Sequence, residues 1–335
     1  CFGGRYVAPG GVRGLVCVPE GEDASPPIEI LLKTLIPGPS VPDGYRALRG
    51  AKVKVGGNFT WTDETGCFEM WGVPSGYRML EVTASGYQPY SRTIYVPADR
   101  YYEFHNDNAV KLGVGYYLLI GVGNFDHEYY DSLGNGPRRD VEAMELALAK
   151  DTLWLGDYIK LIDGDATLDN VELQLTMLID KMQENDFLVI YFSGHGTGGT
   201  ASPLGVDAIL LHDLFITDVE LERIISNSHL NPKTNKVTLI IDACNSGSFA
   251  DGIEREFPES TLKAFRKSRY TVLASSAPEV PSEQYQDQNG EVAYGYFTYH
   301  LVNGFLSDKA DDNGDSIVTA EEARAYVDRK LRELD

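Results

Sequence analysis

Two apolar runs of strand length, each stopping at a reactive side chain, set what this chain can fold into. Phe187–Phe192 (FLVIYF) leads into Ser193, Gly194, His195, Gly196 and Thr197. Val237–Ile241 (VTLII) leads into Asp242, Ala243, Cys244, Asn245, Ser246 and Gly247. A run rich in β-branched residues and closed by small ones reads as a strand buried on both faces of a parallel sheet. Such sheets gather ligands at the carboxyl ends of their strands. His195 and Cys244 therefore stand where chemistry is usually placed. A thiolate is the reactive form of cysteine, and a nearby imidazolium favours it.

Strands alternate with helices on either side of these runs. Tyr116–Gly123 is a strand ending at glycine. Arg138–Ala149 has helical period, with Val141, Met144, Leu146 and Leu148 on its apolar side. Tyr158–Ile162 is a second strand. Thr167 can cap a helix running through Met182, with Leu168, Val171, Leu175, Leu178 and Ile179 apolar. The histidine run is the third strand, Asp207–Leu211 a short one, and Asp218–Ser226 a helix opened by Thr217. The cysteine run is the fourth long strand, Tyr270–Ser276 the fifth, and Phe297–Leu306 a helix. This alternation predicts an α/β domain with a mostly parallel sheet flanked by helices.

His195 precedes Cys244 by 49 residues (244 − 195), the spacing seen in caspases. Tyr191–Gly196 and Asp242–Gly247 resemble the histidine and cysteine motifs of the caspase-like clan of cysteine peptidases, in particular its metacaspase and bacterial branch. Leu133, Gly134, Asn135 and Gly136, followed by Asp140, Val141 and Met144, resemble that branch's first helix region. The resemblance covers about 112–335. It implies an endopeptidase in which Cys244 attacks a peptide carbonyl and His195 carries the proton. The N–H groups of Gly196 and Cys244 would be the oxyanion donors, with no third acid. Gly196 suits that role because a residue without Cβ allows close backbone approach.

Asp242 lies two residues before Cys244 and so faces the same side of its strand. The resemblance implies that it lines the primary specificity pocket and receives the Arg or Lys side chain after which the chain is cut. The alternative is a structural carboxylate that caps backbone N–H groups of the cysteine loop. Ser275 and Ser276 match the strand bordering the substrate, and Glu283 and Asp287 follow in a polar loop that adds acidity. Loop 251–269 carries Arg255, Lys263, Arg266, Lys267 and Arg269, where relatives process themselves. It reads equally as a solvated loop.

The first third, residues 1–105, reads as short strands between Gly, Pro and Asp turns, which predicts an all-β sandwich. The strands are Gly14–Val18, Ala51–Val55, Thr60–Thr62, Cys67–Met70, Tyr77–Thr83 and Ser91–Val96. A turn of helix near Ile28–Leu35 and an insertion loop at 21–44 interrupt them, and 97–111 reads as a linker. The order of turn residues over 11–97 resembles the carboxypeptidase-regulatory or transthyretin-like sandwich. Such a module would position substrate or attach the enzyme, or serve only as a spacer.

A length of 335 residues suits two domains. Acidic residues outnumber basic ones 50 to 29, giving a net charge of −21. That argues against nucleic acid or an anionic membrane as partner and favours cations and basic substrates. No apolar run approaches the roughly 18 residues of a membrane span. The four cysteines are Cys1, Cys17, Cys67 and Cys244. Cys17 and Cys67 could pair, which would place the chain in an oxidising compartment. Cys1 is what a lipid-anchored bacterial protein shows after processing, and equally what an arbitrary boundary leaves. A secreted or cell-envelope location follows as the expectation.

Residues 311–322 fit a twelve-residue EF-hand-type loop for Ca2+. Asp311, Asn313 and Asp315 fill positions 1, 3 and 5, Ile317 offers its carbonyl at 7, Thr319 stands at 9 and Glu322 at 12. Ser316 replaces the usual glycine, and a helix-capping turn is the alternative. The resemblance to metacaspases implies a weaker second site that would use Asp218 and Asp251. No organic cofactor is expected, and oligomeric state is not encoded legibly. The competing functional class is a catalytically idle caspase-like domain in an envelope-attached assembly or adhesion protein. The intact Cys244–His195 pair favours the enzyme. A zinc exopeptidase, which the sandwich alone would suggest, lacks a His-rich ligand set.

Overall fold

The computed structural model describes residues 8–20, 41–105, 108–126, 130–149, 156–197, 208–227, 236–244, 270–275, 284–286, 292–314 and 318–333. The chain divides into two compact units: Cys1–Val114 with Gln183–Asp186, and Gly115–Met182 with Phe187–Asp335.

The first unit is built of strands among the described residues. Strand β1 (Gly10–Pro19) is its axis. It pairs antiparallel with β2 (Tyr45–Ala47) and β5 (Cys67–Val73), and parallel with β8 (Tyr101–Phe104) and β9 (Val110–Lys111). A second sheet runs β4 (Asn58–Trp61), β3 (Lys52–Val55), β6 (Gly76–Thr83), β7 (Tyr90–Val96), all antiparallel. Alternation assigns the faces. Val53, Val55, Leu80 and Val82 turn into one core with Val12, Val16, Phe68 and Met70 of the other sheet. Lys52 and Lys54 turn out, and Lys54 pairs with Glu81 across the sheet. The β3–β4 hairpin closes on Gly56 and Gly57, both at positive φ, as a two-residue turn of matching twist requires.

Two expectations change here. The stretch 97–111 is not a linker, because it supplies β8 and β9. Phe104 is fully buried against Phe68. Parallel pairing to a strand some ninety residues upstream leaves no local turn signal to read. Cys17 and Cys67 are free thiols. Across the β1–β5 ladder it is Leu15 that faces Cys67, while Cys17 faces Ala47 of β2. Burial pushes the Cys17 thiol up to about 12. The segments 21–40 and Cys1 lie outside the described residues.

The second unit holds a five-stranded parallel sheet in the order β11 (Tyr158–Ile162), β10 (Gly115–Gly121), β12 (Phe187–Ser193), β16 (Val237–Asp242), β17 (Tyr270–Ala274). Every residue of β10 is buried, as a strand covered on both faces requires. Helices α1 (Gly136–Ala149), α4 (Tyr296–Leu306) and α5 (Ala320–Arg332) share one core with Tyr117, Leu119, Val189, Tyr191 and Ile240. Helix α2 (Leu168–Lys181), capped by the Thr167 hydroxyl, buries Val171, Leu175, Leu178 and Ile179. It packs on β10 and β11 beside α3 (Asp218–Asn227).

Leu146 of α1 is 66% exposed. The buried stripe is Val141, Met144, Ala147 and Leu148, and Leu146 lies well around the helix from it at about 100° per residue. Two small antiparallel sheets are separate from the parallel one: β13 (Gly196–Thr197) with β14 (Ala208–Leu210) and β15 (Phe215–Thr217), and the hairpin β18 (Gln284–Gln286) with β19 (Val292–Gly295).

The sheet order reverses between β10 and β12. In sheets of this kind, ligands gather at the carboxyl ends of the strands near such a reversal.

Candidate active site

Strands β12 and β16 pair with Ser193 opposite Asp242. His195 and Cys244 each follow two residues later, so the register alone carries both to the same end of the sheet. They line one cavity together with Ser193, Asp242, Gly295 of β19, Asp140 of α1, and Leu133 just before that helix. The cavity measures about 70 Å³, room for a few waters or one planar cationic head.

His195 Nε2 lies 2.9 Å from the carbonyl oxygen of Asp131. A ring nitrogen facing a carbonyl must carry the hydrogen, so Nδ1 is the nitrogen left to exchange a proton. The rings of Phe125 and Tyr130 stand against the imidazole, at 5.1 and 5.7 Å between centroids. Gly196 runs so close to the cysteine loop that a Cβ there would fall 2.1 Å from the Cys244 carbonyl oxygen. Only glycine allows that approach.

Asp242 is 5% exposed and Asp140 2%. Asp242 Oδ2 accepts from the backbone N–H of Thr298 at 3.1 Å and from its hydroxyl at 2.7 Å. Tyr191, fully buried, shares a 2.6 Å hydrogen bond with that hydroxyl. Asp140 accepts from the Ser193 hydroxyl at 2.8 Å and from Gly295 N–H at 3.2 Å. Gly295 and Thr298 belong to the start of α4, whose first N–H groups have no partner within the helix. Two carboxylates thus meet at one helix N-terminus, where negative charge is favoured. Burial, and then the neighbouring Asp242, raises the Asp140 carboxyl well above the ordinary range. The hydrogen bonds from Ser193 and Gly295 oppose that shift. A Cβ on Gly295 would sit 2.0 Å from Asp242 Oδ2, so this glycine makes room for the acid.

Asp242 caps the start of α4 and lines the cavity as well; the cysteine loop beyond Cys244 lies outside the described residues. Asp140 went unassigned in the sequence. Its signal was a carboxylate in line with Met144 and Leu148 at i, i+4 and i+8 on the buried face of α1. The Ser275 hydroxyl is bonded to Ala243, accepting from its N–H at 3.1 Å and donating to its carbonyl at 3.2 Å. It braces the residue before Cys244 and is not among the described residues that line the cavity. Ser276, Glu283, Asp287 and loop 251–269 lie outside the described residues.

In the acidic loop, Glu322 accepts from Asp312 N–H, the Asn313 side-chain amide, and both the N–H and hydroxyl of Thr319. These bonds hold its carboxyl below the usual range, those from Thr319 most. Asp311 accepts from Gly314 N–H at 2.8 Å. The described donors are all oxygen or amide, a set that suits a hard cation. Positions 315 and 317 lie outside the described residues. Among the described residues, no three His, Cys, Asp or Glu side chains gather as metal ligands; here the loop offers two carboxylates, an amide and a hydroxyl. For the weaker second site, Thr217 and Glu220 cap one another at the start of α3, where Asp218 begins the helix. Asp251 lies outside the described residues.

The family described as "Caspase domain" matches residues 114–332. The chain is 31% identical to metacaspase-6 of Arabidopsis thaliana over 137 residues, 37% of this chain and 36% of that protein. It is 30% identical to metacaspase-4 of the same plant over 115 residues, 31% of this chain and 27% of that one. The matches thus span about a third of these relatives' length. A crystal structure of a protein from Geobacter sulfurreducens aligns with 65% of this chain and 89% of its own, at 17% identity and a TM-score of 0.44. Among the described residues no helix is long and apolar enough to cross a membrane.

Proposed function

The chain belongs to the caspase-domain family, and from that premise we propose that it is a cysteine endopeptidase that cuts after Arg or Lys. One observation carries the reading: Cys244 and His195 share a small cavity with two buried carboxylates. In this reading the thiol gives its proton to His195 Nδ1 while Nε2–H stays on Asp131. The sulfur attacks the peptide carbonyl, and the N–H groups of Gly196 and Cys244 receive the oxyanion. His195 returns the proton to the leaving amine, and water then hydrolyses the thioester. A guanidinium or ammonium entering the cavity meets Asp140 and Asp242, a charge-assisted contact. Acidic side chains meet repulsion from the same two carboxylates. Hydrolysis of fluorogenic peptides ending in Arg, Lys or Asp, by the wild type and Cys244→Ala, tests this directly.

Loop 251–269, with its five basic residues, is then a candidate for self-cleavage. The sandwich of the first unit is proposed as a transthyretin-like positioning or attachment module.

We also propose Ca2+ binding at 311–322, supported by the spacing of Asp311, Asn313, Asp315, Ile317, Thr319 and Glu322. The ion would tie the loop to the start of α5. Ligand binding to the folded state alone stabilises it by mass action. At a hundredfold excess over the dissociation constant the gain is about 2.7 kcal/mol, a rise of roughly 5–10 °C in thermal midpoint. Asp311→Ala should abolish that rise, and magnesium should not reproduce it. An unchanged midpoint at millimolar Ca2+ removes the site.

A further inference from the structure

We infer that Phe125 and Tyr130 are positioning residues that fix the plane of the His195 imidazole, an inference that rests on the Cys244–His195 reading above. His195 stands on a loop beyond β12 and is only partly buried. Its bond from Nε2 to Asp131 O fixes one point of the ring. The ring can still turn about that bond, and turning moves Nδ1, the nitrogen that must exchange a proton with Cys244.

Contact on the ring itself removes that freedom. Phe125 lies 5.1 Å away at an interplanar angle of 33°, and Tyr130 5.7 Å away at 44°. Both distances fall in the range of favourable aromatic pairing. An imidazolium beside aromatic rings is also favoured electrostatically.

Phe125 belongs to the stretch 123–126 and Tyr130, with Asp131, to the stretch 130–133, and both described stretches are braced at several points. Gly123 and Asn124 N–H donate to Asp163 Oδ1, at 2.9 and 3.0 Å. Leu133 N–H and the Ser132 hydroxyl close back on the Gly123 carbonyl. Asp126 N–H reaches the His212 carbonyl, and His212 Nδ1 lies 2.8 Å from the Asn124 carbonyl. Tyr130 meets Phe215 of β15 edge-on at 5.8 Å. Aromatic rings on a braced loop are a fixed stop for the imidazole, where rings on an unbraced loop would move with it.

The test compares Phe125→Leu, Tyr130→Leu and Tyr130→Phe in the full chain. Leucine keeps apolar bulk and removes the ring. Two readouts are taken: kcat and KM on an Arg-ending peptide, and the rate at which iodoacetamide alkylates Cys244. Peptide mass separates Cys244 from Cys1, Cys17 and Cys67. Each leucine variant should lose roughly tenfold in kcat, with KM held within about twofold, because a misplaced catalytic group costs rate rather than binding. Alkylation should slow toward the rate of His195→Ala. Tyr130→Phe should match the wild type in both.

Leucine variants with wild-type kcat and alkylation overturn the inference. So does a rise in KM alone, or a Tyr130→Phe variant as slow as Tyr130→Leu. Phe125→Leu decides the matter independently if Tyr130→Leu does not fold. If wild-type protein cuts no peptide and His195→Ala alkylates at the wild-type rate, the dyad reading falls and takes this inference with it. A His195→Ala effect not shared by the leucine variants sinks the positioning role alone.

Discussion

Asp140→Asn is expected to cut kcat/KM toward Arg-ending peptides by roughly 30- to 1000-fold while making the unliganded protein more stable at neutral pH. Removing one carboxylate from a buried charge cluster that receives a cation costs about 2–4 kcal/mol of binding. The side chain is isosteric, so the loss is one of charge. The stability gain has the opposite origin. Burial, with the neighbouring Asp242 second, raises the Asp140 carboxyl in the folded state. A raised acid favours the protonated fold. Its stabilising contribution is complete below the unfolded value near about 3.9 and is lost as pH rises through the folded one. Asparagine has no such loss. Its amide can also face the Asp242 carboxylate as a donor. The thermal midpoint of the variant should exceed that of the wild type by several degrees at pH 7–8, with the gap closing toward pH 4. A variant that loses stability at pH 7 while keeping full activity on Arg contradicts the pocket assignment. Stability given up for a charged site is a recurring trade in enzymes.

Gly196→Ala is expected to lower kcat about a hundredfold or more with a folded protein. The added Cβ would lie 2.1 Å from the Cys244 carbonyl oxygen and 3.0 Å from the Ala243 Cβ. The oxygen is backbone, and Ala243 is tied at both its N–H and carbonyl to Ser275, so neither neighbour can rotate away. The nucleophile loop must shift, and a displacement of about 1 Å at a reacting atom costs roughly 10²-fold. Overpacking of this kind costs about 1–3 kcal/mol of stability, which circular dichroism and a thermal melt would register as a small fall. Wild-type kcat in Gly196→Ala would mean that the close approach has no part in catalysis.

The parts of this structure legible in sequence were those set by local pattern. Apolar runs at β10, β12 and β16 carry their burial in their composition. Thr167 announces the start of α2 by its side chain. The Ser193–Asp242 register brings His195 and Cys244 level, and their motifs were visible before the register was. The parts that were not legible depend on distant pairing. Strands β8 and β9 join β1 in parallel across most of the first unit, with no turn to mark them. Asp140 reads as one polar residue in a helix until Gly295 and Ser193 are placed beside it. The bracing of Phe125 and Tyr130 comes from Asp163, His212 and Phe215, all far along the chain. Asp242 shows why the sequence left two readings open: a carboxylate at a strand end can cap a helix and line a cavity at once.

The central claim, that Cys244 is the nucleophile of a peptidase with an acidic specificity pocket, is tested most directly by peptide hydrolysis. Fluorogenic peptides ending in Arg, Lys and Asp are offered to the reduced, folded wild type and to Cys244→Ala, with and without Ca2+. The account predicts release from the Arg and Lys peptides, none from the Asp peptide, and none at all from Cys244→Ala. Cleavage after Asp would contradict the roles given to Asp140 and Asp242. Undiminished cleavage by Cys244→Ala, or no cleavage of any peptide by the folded wild type, would contradict the enzyme itself.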